Sequence, residues 1–126
     1  MLKLKSKKFW TWQTGRQESG YDKLLLLTGY FPWPFDCYLL KFKEGSTIPP
    51  HQDKVLIGRH YRLNIILKAA KVGGEFQCEK IIFQSKRIKL FRPDENIHSV
   101  TRLEKGTRWV LSLGWVLGGG KIKPAS

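Results

Sequence analysis

The sequence predicts an all-β fold, a sandwich, barrel or jelly roll with few or short helices. Three observations carry that expectation. Seven short apolar runs follow one another along the chain. Gly, Pro and charged residues punctuate them: Gly29, Pro32, Pro34, Gly45, Pro49-Pro50, Gly58, Gly73-Gly74, Pro93 and Gly106. No segment of about twelve residues keeps the 3.6-residue apolar period of an amphipathic helix. Many short strands with frequent turns suit sheets that close or pack face to face.

Phe9 to Gln13 is the first element, short and aromatic. Gln13 to Gly29 is ambiguous, with Tyr21 to Leu27 readable as a helical turn or a strand. Asp36 to Lys43 carries Cys37, Tyr38, Leu39, Leu40 and Phe42. Tyr61 to Lys68 places Tyr61, Leu63, Ile65 and Leu67 on one face and Arg62 and Asn64 on the other. Glu75 to Glu79, Arg87 to Phe91, Ile97 to Leu103 and Thr107 to Trp115 complete the set. The ends read as loose. Lys3, Lys5, Lys7 and Lys8 make residues 1–8 a basic arm, and Gly118-Gly119-Gly120 opens a flexible tail, 118–126. One domain is expected over 1–126, with its core at about 36–117.

Composition narrows the class. Hydrophobic residues make up 41% and charged residues 26%, enough to fold around a core. The longest apolar run is Leu24 to Leu27, too short to span a membrane. The basic start lacks the apolar stretch of a signal peptide. Cys37 and Cys78 are too few for a disulfide scaffold and too far apart for a cysteine zinc cluster. They are expected to be reduced, small core residues in a cytoplasmic protein. The net charge of +13 draws anionic small molecules or polyanions, nucleic acid included.

The chemistry-bearing residues begin at His51-Gln52-Asp53, after Pro49-Pro50. In an extended chain residues two apart share a face, so His51 and Asp53 converge. His98 follows 47 residues later in another expected strand. Two imidazoles and one carboxylate on one face, with open positions opposite, suit non-haem Fe(II) that activates oxygen. Beyond His98 the chain turns at Gly106 and enters Arg108-Trp109-Val110-Leu111-Ser112. A hairpin there would carry Arg108 deep into the fold near His98, in apolar company. Arginine grips a carboxylate through two parallel hydrogen bonds. Ser112 shares its face and could donate a hydroxyl. His60 reads as a loop residue rather than a ligand.

These residues resemble a known family. Tyr38 to Trp115, about 75 residues, resembles the 2-oxoglutarate- and Fe(II)-dependent oxygenases of the prolyl-hydroxylase type. The order His51-x-Asp53, then His98, then Arg108 ten positions on carries the likeness, with Leu39 to Gly45 before Pro50-His51 and with Gly73-Gly74-Glu75-Phe76. The resemblance implies a double-stranded β-helix (jelly-roll) core. It implies that His51, Asp53 and His98 bind Fe(II), and that Arg108, assisted by Ser112, holds the distal carboxylate of 2-oxoglutarate. O2 would be the oxidant, ascorbate a candidate reductant, and succinate and CO2 the co-products of hydroxylating an unidentified prime substrate. Phe42 stands where that branch often has Tyr, and Lys68-Ala69-Ala70 fills the stretch of another expected Tyr. Tyr38 is therefore a candidate for the cosubstrate, and proline as the substrate is not implied.

Asn64 and Arg62 leave two readings open. If their face points inward, Asn64 meets the cosubstrate. If Leu63, Ile65 and Leu67 face the core, both polar residues are solvated. Lys54, Arg59, Arg62 and Lys68 are expected to make the mouth of the site basic, with residues 53–61 and Phe31-Pro32-Trp33-Pro34-Phe35 around it. A hydroxylase acting on a protein side chain or an anionic small molecule leads. Nucleic-acid oxidation or demethylation by the same chemistry is the alternative. A non-enzymatic basic β-barrel binding single-stranded nucleic acid is a reading from another class, which leaves the His, Asp and Arg spacing unexplained. A cupin-like metal protein with a different ligand set would want more than three histidines.

Overall fold

Alternating burial along the last strand shows how the fold is built. From Arg108 to Leu117 every second residue is buried: Arg108, Val110, Ser112, Gly114 and Val116. A strand with that period lies in a sheet with one face turned to the interior. In the computed structural model, which describes residues 11–14, 20–30, 33–55 and 57–118, this strand is the middle of a seven-stranded sheet.

The strands are β1 (Trp12–Thr14), β2 (Tyr21–Gly29), β3 (Phe35–Phe42), β4 (Ile48–His51), β5 (Arg59–Lys68), β6 (Val72–Gly73), β7 (Phe76–Cys78), β8 (Ile81–Gln84), β9 (Ile88–Phe91), β10 (His98–Val100), β11 (Leu103–Lys105) and β12 (Arg108–Leu117). The larger sheet runs β1-β2-β3-β12-β5-β9-β8. A smaller one runs β4-β10-β7, and β11 pairs with β6. All the strand pairs are antiparallel. No α-helix occurs among the described residues, and no helix is long and apolar enough to cross a membrane. The all-β jelly roll expected from the sequence is the fold observed.

Tyr21 to Leu27 resolves as strand: β2 pairs with β3 along most of its length. Leu24 and Leu25 are buried, and Tyr21 stacks on Phe42 at 4.9 Å. The core draws Tyr21, Leu25, Tyr38, Leu40, Phe42 and Val110 from the larger sheet and Ile48 and Val100 from the smaller. The two sheets therefore face each other. The sequence-based strand Ile97 to Leu103 is two strands, and Ile81 to Gln84 was not foreseen. Of Phe9 to Gln13 only the end is described. The basic arm 1–8, Phe31-Pro32 and residues 119–126 lie outside the described residues.

One connection differs from expectation. Gly106 turns the chain with a φ of 93°, but no hairpin joins β10 to β12. β10 pairs with β4 and β7, while β12 pairs with β3 and β5 in the other sheet. Arg108 reaches the interior by crossing from one sheet to the other, so it faces His98 across the core.

Candidate metal centre and its cavity

The register of the smaller sheet brings the histidines together. His98 on β10 lies directly opposite His51 at the end of β4, and their ring centroids are 4.2 Å apart. Asp53 follows two residues after His51. Its backbone N–H donates to the Pro93 carbonyl at 2.8 Å, and the Gln52 side chain donates to the Asp94 carbonyl at 3.2 Å. The turn after His51 is thereby tied to the segment that leads into His98.

The three functional groups point at one another. His51 Nε2 lies 3.6 Å from one Asp53 carboxylate oxygen, and His98 Nε2 lies 3.5 Å from the other. The other ring nitrogens face backbone carbonyls: His51 Nδ1 is 2.8 Å from Pro49 O and His98 Nδ1 is 3.0 Å from Asn96 O. A carbonyl only accepts, so Nδ1 carries the hydrogen in each ring. That hydrogen leaves Nε2 of each ring as the nitrogen that faces the carboxylate. Backbone carbonyls set the tautomer of metal-binding histidines in the same way. Three electron-rich atoms around one point repel unless a cation or proton sits among them.

The donor set fits a divalent ion. One donor atom from each residue lies within 4.8 Å of the others. Donors about 2.1 Å from one ion lie about 3 to 3.5 Å apart, near the separations observed. Two imidazoles and a carboxylate leave several coordination positions for other ligands. The site could therefore hold a metal ion.

Asp53 and His98 form one end of a small cavity that runs between the sheets. Arg62, Asn64, Ser112 and Arg108 line it from the larger sheet. The inward reading of the Arg62 and Asn64 face is the one observed, since both are buried while Leu67 is half exposed. Arg62 therefore does not add to a basic mouth. Its Nη2 donates to Asp36 at 2.9 and 3.2 Å, and its Nη1 donates to Ser112 Oγ at 2.9 Å. Ser112 Oγ in turn donates to Asn64 Oδ1 at 2.7 Å. Gly114 makes room for this pair, because a Cβ there would collide with the Arg62 guanidinium.

Arg108 is different. It is only 3% exposed, and no carboxylate pairs with it among the described residues. Its guanidinium lies over the Phe42 ring at 4.8 Å. Burial pushes its pKa down to about 10, so it stays charged at neutral pH. The position where the branch often has Tyr thus carries a ring that supports the cation.

The remaining sequence-based residues fall elsewhere. Tyr38 is buried in the core, its hydroxyl pushed up to about 12 by burial and then by Asp36, and it does not line the cavity. His60 is no loop residue: it lies on β5 and is fully buried. Cys37 and Cys78 are half-buried rather than core residues, and burial raises both thiols. Sequence reasoning missed Asp36, whose partner is 26 residues away. The available signal was an acid near the start of a mostly apolar strand.

No protein-family model matches the chain, and no curated protein sequence matches it. Solved structures do. KdgF from Halomonas sp. is 19% identical at a TM-score of 0.58, over 88% of this chain and 94% of that one. A prolyl-4-hydroxylase from Pseudomonas putida is 14% identical at 0.65, over 86% and 78%. The cupin domain of Schizosaccharomyces pombe Cnp3 is 16% identical at 0.59, over 85% and 69%. These likenesses define the fold class, a cupin or double-stranded β-helix jelly roll. The fold is common to a named hydroxylase and to other cupins, so the chemistry has to be argued from the site.

Proposed function

We propose that this chain is an Fe(II)- and 2-oxoglutarate-dependent dioxygenase that hydroxylates a prime substrate and releases succinate and CO2. One observation carries the reading: a buried arginine with no carboxylate partner among the described residues lines the same cavity as Asp53 and His98 of the triad. Fe(II) alone would need only the triad. A buried guanidinium without a carboxylate calls for an anionic ligand, and a dicarboxylate that chelates the metal at one end supplies one at the other.

Iron(II) held with 2-oxoglutarate and O2 supplies oxidative decarboxylation coupled to C–H hydroxylation. The chain contributes binding and orientation. His51, Asp53 and His98 hold the metal, with the tautomers of both rings set by Pro49 and Asn96. Arg108 takes the distal carboxylate, flattened against Phe42. Asn64 lines the cavity between them, and Ser112 stays bonded to Arg62 and Asn64. The apolar walls Leu40, Phe76 and Phe91 limit water along the cosubstrate. Lys54 and Arg59 are exposed near the metal end, which favours an anionic prime substrate: an acidic protein segment or an anionic small molecule. Nucleic acid is the same-chemistry alternative. Half-exposed Trp12 and Trp33 favour the separate reading of plain single-strand binding.

Anaerobic titration with Fe(II) and 2-oxoglutarate tests the proposal. A visible charge-transfer absorption is expected, and His98→Ala should lose it while keeping its β-sheet circular dichroism. Folded wild-type protein that develops no absorption overturns the reading, and oligonucleotide binding that persists in that protein would favour the non-enzymatic one.

A further inference from the structure

A second, larger pocket backs onto the first. It opens where the β8–β9 end of the larger sheet faces β6 and β7. Arg108 and Phe76 line both pockets and so form the wall between them. The second pocket contains none of the three residues of the metal centre. It is a place to bind, not to react.

Its charge is one-sided. Lys71, Lys86, Lys89 and Arg108 line it against a single acid, Glu75. Lys89 Nζ donates to Gln84 Oε1 at 3.0 Å and to the Ser85 carbonyl at 3.2 Å, neutral acceptors that fix its position and leave its charge uncompensated. Arg108 adds an independent observation. It is buried, lacks a carboxylate partner among the described residues, and lines both pockets. A concave site with four cations, one acid and no metal ligand is built for negative charge.

We propose that this second pocket binds a small polyanion, a molecule bearing at least two phosphate or carboxylate groups, and that it does so through Lys71, Lys86, Lys89 and the outer side of Arg108. Because Arg108 serves both pockets, an anion in the second draws on the charge that the first would use. Occupancy then weakens dicarboxylate binding beside the metal centre, and by linkage the dicarboxylate weakens the polyanion equally. The binding statement does not depend on the dioxygenase reading. Only the coupling statement rests on it.

Isothermal titration calorimetry of the metal-free full chain with inorganic pyrophosphate, and in a parallel arm with citrate, tests the site. One pyrophosphate or citrate per chain is expected, with affinity falling steeply as salt rises. The arm with the tighter affinity distinguishes phosphate from carboxylate chemistry. The double variant Lys71→Ala/Lys86→Ala changes two exposed residues and should fold normally, yet weaken binding at least tenfold. No saturable binding of either anion, or equal binding by wild type and the double variant, overturns the proposal. Failure of the Fe(II)-loaded wild type to bind 2-oxoglutarate would count against the dioxygenase reading alone.

Discussion

Two arginines face one cavity from neighbouring strands, and they live in opposite circumstances. Arg62 and Arg108 are 4% and 3% exposed. Arg62 is held by Asp36 and Ser112 in a chain of hydrogen bonds that runs on to Asn64, while its Nε has no partner among the described residues. Arg108 has an aromatic ring beneath it and no carboxylate among the described residues. A buried charge is tolerated when it is paired and hydrogen-bonded, and it is costly otherwise. Arg62 therefore belongs to the folded state, while Arg108 keeps its unbalanced charge for a ligand. Residue type and burial do not separate the two roles. The presence or absence of a partner does.

The largest expected effect comes from breaking the paired side. Asp36→Ala leaves Arg62 buried and unpaired, which should destabilise the fold by about 3 to 5 kcal/mol. A lowered urea midpoint with an unchanged m-value reads it. Next comes the unpaired side. Arg108→Leu removes a buried charge that no carboxylate balances, so stability should hold or rise. Affinity for 2-oxoglutarate should fall on the order of 100-fold, as when one partner of a buried charge pair is truncated. Denaturation and calorimetry on the same sample check both halves. An Arg108→Leu protein as unstable as Asp36→Ala, with cosubstrate affinity intact, would erase the distinction.

The distinction was half legible in the sequence. His51, Asp53, His98 and Arg108 were found by type and spacing, because period-two alternation fixes which residues share a face whatever the rest of the fold does. Arg62 was not assignable. On β5 both phases of the alternation are credible core faces: Tyr61, Leu63, Ile65 and Leu67 in one, Arg62 and Asn64 in the other. The apolar phase looks like the core, yet the polar phase is buried. What decides it is Asp36, two strands across the sheet, and no local pattern reports a partner 26 residues away. The route of the chain into β12 was misread for a related reason. A glycine turn announces a reversal but not which sheet receives the next strand. The outcome for Arg108 survived, because burial of its face was set by alternation and not by the hairpin.

His60 sharpens the comparison by asking what Arg62 does to a neighbour. It is fully buried, with Nε2 3.4 Å from Arg62 Nη2 and no hydrogen-bond partner for Nδ1. Burial first, and then the Arg62 charge, push its pKa down from 6.5 to about 4, while Asp53 and Asp94 pull weakly the other way. In the unfolded chain the ring protonates near 6.5, so between about 6.5 and 4 the unfolded state binds more protons. Stability from His60 is therefore intact above about pH 6.5 and drains away as pH falls toward 4, by on the order of 1 kcal/mol at pH 5.5. His60→Gln keeps an acceptor for Arg62 and does not titrate. Urea midpoints of metal-free wild type and His60→Gln, followed from pH 7 to pH 4.5, should converge as the wild type loses its advantage. Parallel curves would mean that burial and the Arg62 charge together leave the ring's titration where it lies in the unfolded chain, and would overturn the depressed value.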